Sequence, residues 1–98
     1  MSAAEPPPYQ VRLRSRRVQK DMDGCTEADH RRLTARLKTL AQNPRPPGCE
    51  KLAGEVYRIR VGDLRVIYLV DDAARRVEVG AVRRRSERTY RRVEELFG

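Results

Sequence analysis

The sequence predicts a small α+β domain: a twisted antiparallel sheet, built from an N-terminal strand and a three-stranded C-terminal meander. A helical hairpin covers one face, and a short helix ends the chain. Three observations carry this. Apolar residues recur at helical spacing from Val18 to Leu40, the period changes to two from Val56, and a proline-rich loop, "NPRPPGCE", separates the two regimes. At 98 residues there is room for one domain, over 9–98, preceded by a disordered tail at 1–8 that carries a run of three prolines.

Tyr9, Val11 and Leu13 alternate with Gln10 and Arg12, which gives the first strand. Ser15 can cap a helix running to about Asp23, with Val18 and Met22 on one side and Gly24 as its stop. Thr26 and Asp29 approximate a capping box for a second helix, where Leu33, Leu37 and Leu40 form the apolar stripe. Asn43-Pro44 ends it. Strands follow at 56–61, 64–71 and 76–82, separated by Gly62-Asp63 and by a four-residue loop from Asp72 to Arg75. The last segment, "RRRSERTYRRVEELFG", reads as a helix with Tyr90, Val93 and Phe97 on its apolar side.

A two-residue turn at Gly62-Asp63 pairs Val61 with Leu64, Arg60 with Arg65, Ile59 with Val66 and Tyr57 with Tyr68. Opposed residues share a face, so the apolar members form a core face and Arg58, Arg60 and Arg65 surround Ile67 on the other. Like charges directly opposed cost about 0.2–1 kcal/mol, and a local rule broken without local compensation points to function. Across the next loop Val70 meets Val77, Tyr68 meets Val79 and Val66 meets Ala81, which brings Glu78, Gly80, Val82 and Arg84 to the arginine face. A slip of one residue brings Arg83 there instead. The plainer alternative is a solvated face, with Glu50, Glu55, Glu78 and Glu87 as ion-pair partners.

Charge narrows the function. The chain carries a net +8, almost all of it arginine, with Lys20, Lys38 and Lys51 the only lysines. Such a field implies an anionic partner, whether nucleic acid, an acidic protein or an anionic membrane surface, and arginine's planar fork suits phosphate. No segment has the length of a membrane span, and the N-terminus lacks the apolar run of a secretory signal. Cys25 and Cys49 are expected as free thiols, and with His30 the only histidine a zinc site has no ligand set.

The run "KLAGEVYRIRVGDLRVIYLVDD", followed by "VRRRSERTYRR", resembles the RelE/ParE toxin superfamily of bacterial toxin–antitoxin modules. The resemblance extends from about Tyr9 to the C-terminus, and the arginine-rich segment ending at Tyr90 favours the RelE-like branch. It implies a RelE-like fold and a ribosome-dependent mRNA endoribonuclease, an mRNA interferase. Such a toxin cuts the A-site codon by attack of the RNA's own 2′-OH and arrests translation, with no metal or cofactor. The family's site falls here on Arg58, Arg60, Arg65, Arg84 and Tyr90, with Arg83, Arg85 and Lys51 as further RNA-binding cations. The implied partners are an acidic RelB-like antitoxin, the ribosome and mRNA, in the cytoplasm. Membrane is not among them, and operator DNA is reached only through the antitoxin.

The residue types fit charge stabilisation of a pentacoordinate phosphorane, but arginine stays protonated and cannot act as general base. Tyr90 is the protein's candidate for that role, provided crowded positive charge lowers its pKa; by spacing alone it is equally a core residue. Two alternatives remain: a ParE-like toxin that inhibits DNA gyrase by protein binding, and a non-catalytic basic RNA-binding relative.

Overall fold

A computed structural model describes residues 8–84 and residue 97. The elements follow in the order β1 (Gln10–Leu13), α1 (Arg16–Asp23), α2 (Glu27–Gln42), β2 (Glu50–Ala53), β3 (Val56–Val61), β4 (Leu64–Asp71) and β5 (Arg76–Arg84). The strands form one sheet in the order β1-β5-β4-β3-β2. Both helices pack on one face, so the expected α+β class holds. Residues 1–7 of the expected tail and, of the segment expected as the C-terminal helix, residues 85–96 and 98, with Arg85 and Tyr90 among them, lie outside the described residues. Arg83 and Arg84, expected to begin that helix, instead end β5.

Local chemistry explains the helices. Thr26 Oγ1 accepts from the Asp29 amide at 3.2 Å and caps α2. Ser15 precedes α1 in an extended conformation, but its hydroxyl makes no cap bond, so α1 rests on packing instead. Val18 and Met22 of α1 and Leu33, Leu37 and Leu40 of α2 bury their side chains against Ile59, Val66, Tyr68, Val77 and Val79 of the sheet. Tyr68 is fully buried and stacks on Tyr57 at 5.9 Å between ring centroids. Its hydroxyl donates to the Pro44 carbonyl at 2.7 Å, which ties the loop after α2 to the core. Burial pushes that phenol well above its ordinary pKa. Cys25 and Cys49 are both free thiols.

The β3–β4 register is the expected one, down to Arg60 opposite Arg65. Gly62 takes φ +59° and Asp63 does not follow it, as in a type II′ turn whose twist suits a hairpin. Three features of the sheet differ from expectation. β1 runs parallel to β5, with Val11 beside Val77, because the chain returns to β1's edge only after the whole meander. β2 is an additional strand, antiparallel to β3, with Glu50 opposite Arg58 and Lys51 opposite Tyr57.

The third difference is a bulge. Tyr68 faces Val79 as expected, but Ile67 faces Ala81 and Val66 faces Val82, not Ala81, so Gly80 is the extra residue. The absence of a side chain there is used. A Cβ on Gly80 would lie 2.5 Å from Phe97 Cζ, so the phenyl ring occupies the dimple. Phe97 thereby joins Val56, Ile67 and Ala81 in a small second core on the face away from the helices. Arg14 donates to the Phe97 carbonyl at 3.1 Å and lies 5.9 Å from the ring centroid.

An ionic node closes the sheet end remote from the Gly62-Asp63 turn. The Arg45 guanidinium donates to Tyr57 Oη at 2.8 Å, to Glu55 at 2.5 Å and to both oxygens of Asp72 at 3.1 and 2.9 Å. Tyr9 Oη also donates to Asp72, which docks the start of β1. These bonds, led by that from Arg45, lower Asp72 to about 2 from its ordinary 3.8 and hold Glu55 below its ordinary 4.5. Carboxylates depressed in the folded state stabilise it above their unfolded pKa values, and that contribution disappears as pH falls through the folded values. Thermal melts from about pH 5 to about pH 2 should therefore cost the wild type more stability than Asp72→Asn; equal losses would mean that the node contributes nothing.

The single phenylalanine makes the other contact directly observable. With 4-fluorophenylalanine at position 97, Gly80→Ala should move the fluorine resonance toward its solvent-exposed value while the melting temperature changes little. An unchanged resonance would contradict the seating of the ring at Gly80.

Candidate nucleic-acid interface

Alternation along β3 and β4 sends Ile59, Val66 and Tyr68 to the helices and Arg58, Arg60 and Arg65 to the opposite face. Because Arg65 faces Arg60 on one side and Arg83 on the other, three arginines stand in one row across β3, β4 and β5. They are not equivalent. Arg60 is exposed and has no hydrogen-bond or ion-pair partner among the described residues. Arg65 is half-buried in the middle of the row. Arg83 turns its guanidinium to Asp21 of α1, Nη1 donating to Oδ2 at 2.6 Å.

Arg58 is held differently. Its side chain is only 17% exposed, and its guanidinium donates to the carboxylate of Glu50, directly across from it on β2. The solvated-face alternative is thus met at Arg58 and not at Arg60. A groove of about 450 Å³ runs along the stretch of β3 that β2 leaves uncovered, lined by Arg36, Gly48, Glu50, Arg58, Ile59 and Arg60. Arg36 and Glu50 belong to this groove, and the sequence reading gave neither a place in a site. Arg36 reaches it from α2, and Glu50 enters through a strand too short to read.

The bulge at Gly80 changes the position of Arg84. It stands opposite Leu64, a core residue, and not among the open-face arginines, because one extra residue reverses the alternation beyond it. Arg83 takes the position opposite Arg65 that the one-residue slip provides for. Lys51 faces Tyr57, so it sits on the helix side of the sheet edge, 4.0 Å from Glu55. Arg58, Arg60 and Arg65 are therefore together, Arg83 continues their row, and Arg84 and Lys51 lie elsewhere. Arg85 and Tyr90 lie outside the described residues.

The fold has counterparts. A family profile described as "ParE toxin of type II toxin-antitoxin system, parDE" matches residues 12–89. The fold is similar to that of RelE in the archaeal RelE–RelB complex from Pyrococcus horikoshii. There the identity is 25% and the TM-score 0.72, over 83% of this chain and 99% of that one. It also resembles the isolated E. coli RelE toxin (21% identity, TM-score 0.70, covering 91% and 96%). A third similar structure is the RelBE toxin–antitoxin complex of Mycobacterium tuberculosis (20%, 0.68, covering 79% and 98%). A sequence search of curated proteins finds no match. With the profile spanning most of the chain and the fold that of RelE, the protein belongs to the RelE/ParE superfamily of type II toxin–antitoxin toxins.

Proposed function

We propose that this toxin is an mRNA endoribonuclease that acts on ribosome-bound message in the cytoplasm. The observation that carries the reading is the Arg60–Arg65 pair, two like charges opposed on the sheet face away from the helices, with Arg60 unpartnered among the described residues. A phosphodiester placed between them relieves the repulsion, and their fixed donors favour the extra negative charge of a pentacoordinate transition state over the ground state. Arg58 and Arg36 extend the positive wall along the groove.

In-line attack also needs an acceptor for the 2′-OH proton, and arginine cannot serve. Glu50 is the carboxylate in the groove, oriented by its bond to Arg58. It takes that role in this mechanism. The leaving 5′-oxygen is stabilised by the arginine charge.

The partner that restrains such a toxin is an acidic antitoxin. The net charge of +8 supports this, as do the RelE–RelB complexes of similar fold. Their binding should weaken as salt rises.

A second reading rests on the matched profile, which is that of ParE: the same basic surface binds a protein target, DNA gyrase, without catalysis. Mapping mRNA 5′-ends after induction separates the two. The endoribonuclease reading expects new ends within codons of translated messages, lost with Arg65→Ala. Intact mRNA accompanied by DNA breaks would replace it with the gyrase reading. On ribosomes programmed with a defined codon, Glu50→Gln should slow single-turnover cleavage by about 100-fold or more. Cleavage at the wild-type rate would reduce Glu50 to a counter-ion for Arg58.

A further inference from the structure

A second basic cleft lies on the helix side of the sheet, and the mechanism above does not use it. It encloses about 280 Å³ between α1 and the ends of β4 and β5 that meet near the Gly62-Asp63 turn. Arg17, Lys20, Arg83 and Arg84 line it against one carboxylate, Asp21. That carboxylate is already committed: Oδ2 accepts from Arg83 at 2.6 Å, and Oδ1 lies 3.5 Å from Arg17 Nε. The side chains of Lys20 and Arg84 have no hydrogen-bond or ion-pair partner among the described residues.

The composition of the cleft selects its ligand. Its aliphatic members Leu64 and Val82 are 2% and 4% exposed and already belong to the core, and Cys25 is half-buried against it, so a docking peptide finds no deep pocket for an apolar anchor. A phosphodiester needs only convergent cations. Arg83 links the cleft to the open-face row, since it lines the cleft while standing opposite Arg65, which stands opposite Arg60.

We infer that this cleft is a second phosphodiester subsite, in which Arg17, Lys20 and Arg84 hold the backbone of the same RNA strand beyond the phosphate at Arg60 and Arg65. The inference rests on the RNA reading of the open face, and it can be tested apart from cleavage. The probe is a fluorescent 12-nucleotide single-stranded RNA with 2′-O-methyl groups, which cannot react, titrated with the full chain at several salt concentrations.

The double variant Arg17→Gln/Lys20→Gln should bind this RNA about 5- to 20-fold more weakly at low salt. Its slope of log affinity against log salt should be shallower by about 1.4, since two phosphate contacts are removed. The melting temperature should hold, because Arg17 is 74% exposed and the Lys20 side chain is unpartnered among the described residues; Lys20→Gln alone gives the same result at half the effect. A matched pair on α2, Arg31→Gln/Lys38→Gln, removes equal charge away from the cleft and should change binding less. Equal losses from the two pairs, or no RNA binding by the wild type, would overturn the subsite. So would retained RNA affinity together with a lost affinity for a polyglutamate 12-mer, which would give the cleft to a protein partner. If mRNA cleavage fails while binding still depends on Arg17 and Lys20, the subsite stands and the catalytic reading falls.

Discussion

The pairing of Arg60 with Arg65 follows from a turn of only two residues. Gly62 supplies the positive φ, Asp63 completes the reversal, and every cross-strand partner from Val61–Leu64 to Val56–Leu69 is then determined. A slip of one residue would turn one strand over against the other, sending either Arg58 and Arg60 or Arg65 toward the helices and exposing the apolar residues that alternate with them. Burying unpaired guanidiniums costs several kcal/mol each, so the register is held by the arginines as firmly as by the apolar residues. The core therefore imposes the arginine row. The hydrophobic face cannot form in this register without opposing two positive charges on the other side.

Charge is sorted along the strands to the same effect. At the end where β3 begins and β4 finishes, Glu55 and Asp72 converge on Arg45 with Tyr9 and Tyr57, and the charges nearly cancel. At the opposite end, Arg60, Arg65, Arg83 and Arg84 gather with Arg17 and Lys20 of α1, against the carboxylates of Asp21, of Asp63 in the turn and of Asp29 beside Gly62. One end is a clasp that gathers β1, the loop after α2 and the β4–β5 loop; the other is left with surplus positive potential. Phe97 lies between them on the open face, where Gly80 leaves room for its ring.

Sequence periodicity was sufficient wherever structure is local. The helices, the β3–β4 register and the membership of Arg58, Arg60 and Arg65 in one face depend on alternation and turn length, which residues declare for themselves. What was not legible is set by distant contacts. β2 has four residues after a proline-rich loop and no alternating pattern, so by sequence Glu50 belongs to the loop and its pairing with Arg58 does not follow. The parallel pairing of β1 depends on which edge of the meander is open, a property of the assembled sheet. Gly80 carried a signal, since a glycine inside a strand often marks a bulge, but the sequence does not say whether the strand absorbs it there. That one residue decides whether Val82 or Arg83 stands opposite Arg65, and so whether Arg84 or Arg83 lies on the open face.

The central claim is that the opposed arginines are kept for an anion at a cost in stability. Replacing both at once, Arg60→Thr/Arg65→Thr, and measuring the urea unfolding midpoint alongside growth arrest tests it most directly. Threonine suits a strand and removes the repulsion, so the double variant should unfold at higher urea, by about 0.2–1 kcal/mol, while losing its toxicity. A double variant that is less stable than the wild type, or equally toxic, would mean that the row is ordinary surface charge.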